Sequence, residues 1–164
     1  MHACKQCGGE GRTPSQTVVA VKVPPGVSSG NYIPLRGKGH AGRRAGPAGD
    51  ILVIIEEEKD PRFERNGDDL HTDLLVSYAV AVLGGEVEVP TLVGRVKMEV
   101  PPGTSAGKSF RVRGKGLPRL RGGGAGDLIV RVGIYVPPRV KREDRKTLEE
   151  LGRLDSFRPD GHRG

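Results

Sequence analysis

The chain has 164 residues and a net charge of +7, and it is rich in Gly (26) and Pro (13) but poor in aromatic residues (4%). Its glycines have no period of three, which excludes a collagen-like fibre, and no apolar run approaches the length of a membrane-spanning helix. The apolar residues form short Val/Ile/Leu runs between Gly and Pro, a pattern typical of a β protein with many turns. The N-terminus lacks the apolar core of a signal peptide, so we expect a cytoplasmic protein.

The first motif is a pair of cysteines, Cys4 and Cys7, followed by a glycine-rich stretch. In a cytosolic chain, a CxxC spacing indicates metal or redox chemistry more than a structural disulfide. A thioredoxin-like site would need a βαβ context, which the neighbouring residues do not offer. A structural zinc site needs four ligands, so the two thiols supply only half of one unless a second chain or His2 contributes.

Three short strands are predicted in the first third of the chain. In the first strand, apolar residues alternate with small or polar ones at Val19, Val21 and Val23. A Pro-Gly turn separates it from a second strand that begins at Ile33. A loop rich in Gly, Arg and Ala then leads to a third strand over residues 50–55, which is apolar on both faces.

The next segment predicts a strand, a short helix and another strand. The first of these strands covers residues 70–76. Ser77 is a candidate N-cap for a helix over residues 78–83, which Gly84-Gly85 would end. Alternation of apolar and polar residues over 86–92 then predicts the second strand.

The chain then repeats part of itself at an offset of 77 residues. Without gaps, 16 of the 33 residues in 23–55 are identical to those in 100–132, including the VPPG, RGKG and AGD sequences. The second copy therefore predicts strands over residues 96–100, 110–112 and 128–136.

The repeat indicates about one and a half structural units. The second copy follows the strand–helix–strand segment, so residues 62–138 form a complete β unit. The first copy has no such partner, so residues 17–61 form only the second half of a unit, preceded by a separate cysteine-containing piece (1–16). A half unit exposes its inner face and open edges, so we expect the complete unit to be the stable part.

The chain changes character after Pro137-Pro138. Residues 139–157 predict a helix, because Leu148, Leu151 and Leu154 recur every third residue within a charged segment. Residues 158–164 predict a disordered polar tail.

Two other classes of function have weaker support. There is no nucleophilic serine motif and no HExxH, and the four histidines are dispersed, so we expect no enzymatic activity. GKGHAG at 37–42 matches a dinucleotide-binding pattern, but it lacks the helix that should follow. A basic β-rich RNA- or ribosome-binding protein is the alternative class, although few aromatic residues stand near the basic loops to stack on bases. A solvated basic face is the simpler interpretation of these loops.

Together, these motifs resemble the C-terminal half of the DnaJ family of zinc-containing J-protein co-chaperones. The resemblance covers residues 4–157 and rests on CxxCxGxG, VPPG, AGDILV and GDLIVRV, and above all on the stretch from Phe63 to Gly116. It implies an all-β fold of two tandem DnaJ C-terminal-type β-sandwich domains, the first incomplete, followed by a short C-terminal helix.

The resemblance also implies a binding site for unfolded polypeptides. In the family, an apolar groove on the first β domain takes an extended client segment by strand addition. The matching positions here are Val19, Val21, Leu52, Val53 and Ile55. Each of these residues, taken singly, is better explained as part of an ordinary core, and only the set near an unpaired edge favours a groove.

The family further implies partners and a metal. Its C-terminal segment forms homodimers, a role that falls here on Leu148, Leu151 and Leu154. Four CxxCxGxG repeats bind two zinc ions, and a J domain carrying His-Pro-Asp acts on a DnaK-type chaperone. Only the last cysteine repeat, with Cys4 and Cys7, occurs here, and the tripeptide does not. We therefore expect incomplete or absent zinc binding, no stimulation of a DnaK-type ATPase, and a chain that is a fragment or a mis-started reading frame.

Overall fold

The computed structural model describes residues 13, 15–42 and 46–158. They form an all-β fold with few short helices, which confirms the predicted fold class. The strands are β1 (Tyr32–Leu35), β2 (Ile51–Ile54), β3 (Glu64–Asn66), β4 (Asp69–Val76), β5 (Gly85–Pro90), β6 (Arg95–Val100), β7 (Ser109–Val112) and β8 (Leu128–Ile134). The helices are α1 (Tyr78–Leu83), α2 (Arg142–Leu151) and a 3-10 helix over Asp155–Phe157. None of these helices is long and apolar enough to cross a membrane.

The second unit (residues 62–138) contains two sheets around one core. A four-stranded sheet has the order β3-β4-β8-β7, in which β4 and β8 run parallel and the other neighbours run antiparallel. Strands β5 and β6 form a separate antiparallel pair. Inward-facing side chains of both sheets belong to a single apolar cluster, and Val89, Leu128, Val130 and Val132 are completely buried in it. The second unit is therefore a β-sandwich.

The core is confined to this second unit. Every buried apolar side chain in the described part of the chain lies between Phe63 and Val132. Each of the three buried threonines donates its hydroxyl proton to a backbone carbonyl, as in the 2.6 Å bond from Thr104 to Pro101. In the first unit (residues 17–61), the residues that the structure describes are all half-buried or exposed.

Helix α1 begins and ends where its capping residues predict. The hydroxyl of Ser77 accepts a hydrogen bond from the backbone N–H of Val80 over 3.3 Å. At the other end, Gly84 has a φ of 78°, and a Cβ there would lie 2.9 Å from the carbonyl oxygen of Val100. A side chain at this position would be both strained and blocked, which explains why the helix stops at a glycine.

The internal repeat is preserved in the hydrogen bonds. The β1–β2 hairpin matches the β7–β8 hairpin, with Ile33 opposite Val53 in the first and Phe110 opposite Val130 in the second. The backbone N–H of Gly30 donates a hydrogen bond over 3.1 Å to the carbonyl of Ile55, the residue that follows β2. The bond at the same place in the second copy joins Gly107 to Val132 over 2.8 Å, and the equivalent loop bonds recur as well. The two hairpins are thus the same structure built twice.

The predicted strand at Val19–Val23 is not formed. The alternation holds only in part: Val19 and Val21 are half-buried while Ala20 and Lys22 are exposed, but Val23 is exposed as well, and these residues join no sheet. The counterpart segment in the second copy is β6, which is held by pairing with β5. The offset places the counterpart of β5 at residues 8–13, where the structure describes only Thr13. A strand needs a partner for its backbone groups, and a favourable pattern alone does not supply one.

Among the other elements, β5 and β8 end two residues earlier than predicted, and the larger differences concern β3 and α2. Strand β3 has no apolar alternation and was not predicted, because it owes its conformation to pairing with β4. Helix α2 ends at Leu151, so Leu154 lies outside it and caps the following 3-10 helix. The ring of Phe157 in that 3-10 helix lies 6.0 Å from the ring of Tyr78 in α1, centroid to centroid.

The first unit packs on the loops of the second through a turn and an arginine. A Cβ on Gly26 would lie 2.4 Å from the carbonyl oxygen of Pro118, so the Pro-Gly turn of the first unit sits directly on that loop. Arg65 donates from Nη1 to the carbonyl of Val27 over 2.8 Å and to the carboxylate of Glu57 over 2.7 Å. These contacts hold the β1–β2 hairpin beside the sandwich.

Candidate peptide-binding surface

The β1–β2 hairpin carries apolar side chains on both faces. On one face, Ile33 and Leu35 of β1 stand opposite Val53 and Ile51 of β2, and all four are half-buried. The other face is open to solvent: Tyr32 is 64% exposed, Leu52 61% and Ile54 74%. Tyr32 and Ile54 are cross-strand partners, so they form one continuous apolar patch with Leu52. We call this set of three residues the outer patch.

The backbone of β2 has one edge bonded to β1 and one edge facing away. The N–H of Ile55 donates to the carbonyl of Asn31, and the carbonyl of Ile55 accepts from Gly30, so both groups of Ile55 point toward β1. Backbone groups alternate in direction along a strand, so those of Leu52 and Ile54 point to the opposite edge. In the described part of the chain, no strand pairs with that edge. Pro34, opposite Leu52, fits this scheme because its position needs no N–H toward β2.

The predicted client-binding residues are divided by this geometry. Val53 and Ile55 share the half-buried face, whereas Leu52 points to the opposite face and belongs to the outer patch. Val19 and Val21 lie on a segment that is not a strand, with half-buried side chains. The structure therefore separates Leu52 from Val53 and Ile55, and leaves Val19 and Val21 on a segment outside the hairpin.

Sequence reasoning missed two members of the outer patch, Tyr32 and Ile54. The signal was available in the alternation itself: if Val53 faces inward, Leu52 and Ile54 face outward. Tyr32 then follows from the hairpin register, which pairs it with Ile54. The long loop between the strands, however, leaves open which residue of β1 stands opposite which residue of β2, so the sequence alone does not fix this register.

A second depression lies where the first unit joins the sandwich. It has a volume of about 680 Å³, and its apolar lining comes from Phe63, Leu70, Leu92 and Leu117. Charged residues from the segment 57–65 surround these side chains. Phe63 and Leu70 are already buried in the core, so the pocket offers less free apolar surface than the outer patch.

The neighbouring polar pocket is shaped by two ion pairs. The Arg62 guanidinium beside Asp60 lowers the pKa of that carboxyl to about 2, because its Nη2 lies 2.7 Å from Oδ2. Arg131 likewise lowers the pKa of Asp73, to which it donates two hydrogen bonds of 2.7 and 2.8 Å. Asp60 and Asp73 are both held as ion-paired carboxylates, so neither of these two groups is poised for acid–base catalysis.

Two basic side chains of the second repeat copy, one in β7 and one in the loop that follows it, are also paired. Arg119 lies 3.7 Å from Asp68, and Arg111 lies 3.6 Å from Asp127. Such pairing lowers the positive potential that a nucleic-acid site would need.

The predicted metal ligands Cys4 and Cys7 lie outside the described residues. Within the described residues, no group of three His, Cys, Asp or Glu side chains is placed to hold a metal ion. Two thiolates do not fill the four positions of a structural zinc site, so no chemistry is assigned to zinc here.

The predicted dimerisation leucines do not form one helical stripe. Leu148 and Leu151 lie on α2, where Leu148 is 49% exposed and Leu151 is half-buried. Leu154, 52% exposed, lies beyond the helix end at Gly152. Val140 and Leu148 line a shallow depression beside α2.

Comparison with known proteins identifies the family. The DnaJ C terminal domain family matches residues 9–137. The chain is 46% identical over 156 residues to the "Chaperone protein DnaJ" of Bacteroides thetaiotaomicron, an alignment that covers 95% of this chain and 39% of the relative. It is 48% identical over 148 residues to that of Chlorobaculum tepidum (90% and 37%) and 40% identical over 159 residues to that of Halalkalibacterium halodurans (97% and 43%). The chain thus spans about two fifths of the length of these relatives. With the repeated hairpins and the sandwich in place, the match over most of its length shows that the chain belongs to the DnaJ C-terminal domain family.

Proposed function

We propose that this chain is the client-binding part of a DnaJ co-chaperone, and that it binds exposed apolar segments of unfolded polypeptides. The observation that carries the proposal is the outer patch: Tyr32, Leu52 and Ile54 are each more than 60% exposed on a hairpin outside the core. A folded protein has no structural need for three adjacent large apolar side chains in solvent, and such patches mark interaction surfaces.

The binding chemistry is burial of apolar surface combined with main-chain hydrogen bonds. Covering one large apolar side chain contributes about 1.5–3 kcal/mol, part of which is offset by ordering the client. An extended client segment beside the hairpin would gain backbone hydrogen bonds that do not depend on its sequence. This combination suits a protein that must recognise many unfolded chains and release them again.

We propose three further features for the whole protein. Clients pass to a DnaK-type chaperone, the leucines of the C-terminal segment join two copies into a homodimer, and residues 17–61 and 62–138 act as separate domains. Cys4 and Cys7 would bind zinc only together with two more ligands.

The test is suppression of client aggregation by the full chain. A double change in the outer patch, Leu52→Asp with Ile54→Asp, should abolish suppression because two charges replace the apolar contact. The matched control is Val93→Asp, since Val93 is 92% exposed but lies in a turn of the second unit. The control should suppress aggregation as well as the unchanged chain, and circular dichroism should show that all variants are folded. Equal activity of the double variant and the control would refute the proposed surface.

The same assay separates chaperone activity from nucleic-acid binding. Apolar capture should persist when salt rises to moderate concentration, whereas binding to phosphates weakens steeply. RNA binding that disappears with Lys38→Ala and Lys115→Ala, without any suppression of aggregation, would instead favour the alternative class.

A further inference from the structure

We propose that Asn66 is a site of spontaneous deamidation, and that its isoaspartate product weakens the joint between the two β units. By the joint we mean the hydrogen bonds of Arg65 with Val27 and Glu57. The reaction needs only water. The inference does not depend on the proposed function, since it concerns how firmly residues 17–61 are held beside residues 62–138.

The dipeptide Asn66-Gly67 is the chemical basis of the site. The backbone nitrogen of Gly67, having lost its proton to the solvent, attacks Cγ of Asn66, so an N–Cγ bond forms and the Cγ–Nδ2 bond breaks. The side-chain nitrogen takes up a proton and leaves as ammonia, and a cyclic succinimide remains. Water opens this ring at the side-chain carbonyl to give aspartate, or at the main-chain carbonyl to give isoaspartate, in which the chain continues through the side chain.

Both reacting groups are accessible in the β3–β4 hairpin. Asn66 and Asp69 are cross-strand partners, so Gly67 and Asp68 form a two-residue turn between them. Asn66 and Gly67 are exposed, and within the described residues neither the Asn66 carboxamide nor the Gly67 N–H makes a hydrogen bond. A Cβ on Gly67 would meet no atom within 4 Å, so the space around this residue is open.

The motion that the attack requires falls on the weaker side of the turn. The ring closes only when Asn66 leaves its extended backbone conformation, so β3 must open locally. This strand has three residues and stands first in the sheet order β3-β4-β8-β7, and such short outer strands open at a low cost in free energy. On the other side of the turn, the carbonyl of Asp68 is fixed by the N–H of Leu117 over 2.8 Å.

The other asparagine of the chain, Asn31, is protected. It is half-buried, and its Oδ1 accepts hydrogen bonds from the backbone N–H and the hydroxyl of Ser28 over 3.2 and 2.7 Å. Its carbonyl accepts the N–H of Ile55 over 2.8 Å. The residue that follows it is Tyr32, whose side chain hinders the nitrogen that would have to attack. The chain therefore carries one reactive asparagine and one matched control.

The isoaspartate product lengthens the main chain within the hydrogen bonds of Arg65. The Nε of this residue donates to the carbonyl of Gly67 over 2.8 Å, so the bond spans the modified position. An isoaspartate adds one C–C bond, about 1.5 Å, to the main chain between Arg65 and Gly67. The Arg65 side chain is only 22% exposed and its Nη1 is shared between Val27 and Glu57, so a displaced guanidinium loses these acceptors.

The aspartate product separates the effect of charge from the effect of the main chain. It keeps the normal peptide linkage and adds one carboxylate to the exposed end of β3. An exposed charge changes stability little. The neighbouring carboxylates already have partners, since Asp68 lies 3.7 Å from Arg119 and Asp69 accepts the N–H of Asp127. We therefore expect Asn66→Asp to leave the joint intact.

The first measurement follows the reaction in the full chain. The protein is kept at mildly alkaline pH, and peptide mapping by mass spectrometry gives the converted fraction of each asparagine over time. The synthetic peptide FERNGDDL serves as the reference for an unprotected site. We expect Asn66 to convert at least about tenfold faster than Asn31. Equal rates at the two asparagines, or an unchanged Asn66 once the peptide has fully converted, would overturn the proposal.

Hydrogen exchange measures the consequence for the joint. The isoaspartate form, isolated by chromatography, should exchange the amides of β1 and β2 about tenfold faster than the fresh chain, because charged hydrogen bonds are lost. The amides of β8 should not change. Arg65→Ala should reproduce the increase, whereas Asn66→Asp and an equally aged Asn66→Ser chain should not show it. Unchanged exchange in the isoaspartate form would overturn the link to the joint, and an equal increase in Asn66→Asp would overturn the role of the lengthened main chain.

Enzymatic repair distinguishes the isoaspartate from general damage during ageing. An isoaspartate-specific carboxyl methyltransferase with its methyl donor returns isoaspartate to the succinimide, part of which then opens to aspartate. The repaired fraction should regain the slow exchange of β1 and β2. Fast exchange that persists after repair would mean that the isoaspartate at position 66 does not cause the loosening.

Discussion

The backbone N–H of Gly114 donates a hydrogen bond to Oδ1 of Asp127 over 2.9 Å, and this bond ties the two ends of the long loop between β7 and β8. The repeat builds the same bond between Gly37 and Asp50 over 2.7 Å. A carboxylate oxygen thus closes each loop at the point where the next strand begins. The AGD sequence common to both copies therefore has a structural role.

Replacing this carboxylate should loosen the second unit. Asp127→Ala removes the acceptor for Gly114 and the carboxylate that pairs with Arg111, so we expect the free energy of unfolding to fall by about 1.5 kcal/mol. Asp127→Asn retains Oδ1 and should cost clearly less. Urea unfolding followed by circular dichroism measures both values, and an equal loss in the two variants would contradict the role assigned to the hydrogen bond.

The repeat offers an internal control for the contact between the two units. Gly26 and Gly103 occupy the same turn position, with φ values of 83° and 70°, but only Gly26 touches the other unit. Alanine at Gly103 should cost about 1–2 kcal/mol for the unfavourable φ. Alanine at Gly26 should cost the same and also push the turn away from Pro118.

Hydrogen exchange should resolve this additional effect. We expect Gly26→Ala to speed the exchange of the amides of β1 and β2, while Gly103→Ala leaves them unchanged. If Gly26→Ala sped exchange equally in the β1–β2 and β7–β8 hairpins, or in neither of them, the Pro-Gly turn would not be what holds the first unit in place.

The difference in burial between equivalent positions of the two hairpins predicts that the same substitution lowers the free energy of unfolding by different amounts. Val130 is 0% exposed in the sandwich, and Val53, its counterpart on β2, is only half-buried. Val130→Ala should therefore lower the free energy of unfolding by roughly 2 kcal/mol, and Val53→Ala by less than half of that. Thermal unfolding of the two variants measures the difference. A larger loss at Val53 would mean that the first unit has a core of its own.

The predictions from sequence succeeded where a local signal decides the structure. Ser77 and Gly84 mark the ends of α1 because a cap acts on its immediate neighbours. The alternation in β6 and the apolar runs of β4 and β8 likewise predicted strands, since each of these segments has a partner in the same unit.

The failures have one physical cause, which is the dependence of a strand on its partner. Val19–Val23 has the right pattern but joins no sheet in the described part of the chain, whereas the polar β3 has no pattern and forms because β4 pairs with it. The same limit applies to the candidate site. Only the register of β1 and β2 shows that Leu52 and Val53 belong to different surfaces.

The C-terminal segment supplies a test of self-association. If Leu148 and Leu151 of α2 pack against a second copy, Leu148→Asp with Leu151→Asp should make the chain monomeric. Analytical ultracentrifugation should show a lower mass at concentrations where the unchanged chain is a dimer. The matched control is Leu83→Asp, since Leu83 is 77% exposed on α1, and it should leave the mass unchanged. A dimer that survives the double change would place the interface elsewhere.

The ion pair between Asp60 and Arg62 predicts a local pH dependence. The hydrogen bond from the Arg62 side chain, aided by the Arg62 backbone N–H, lowers the pKa of Asp60 from 3.8 to about 2. Since the pKa is lower in the folded than in the unfolded chain, the stabilisation is fully present above the unfolded value and is lost as the pH falls from 3.8 through about 2. Arg62→Ala should raise the pKa of Asp60 toward 3.8, because only the backbone hydrogen bond would remain.

Carboxyl chemical shifts measured by NMR from about pH 5 to about pH 2 follow each carboxyl group directly. Arg131→Ala is the control, since it removes the partner of Asp73 and should raise the pKa of that group while the pKa of Asp60 stays where it was. The Arg62 side chain is 61% exposed and that of Asp60 37%, so the effect on overall stability should be small and should weaken with added salt. A pKa for Asp60 that does not move in Arg62→Ala would show that the ion pair does not form in solution.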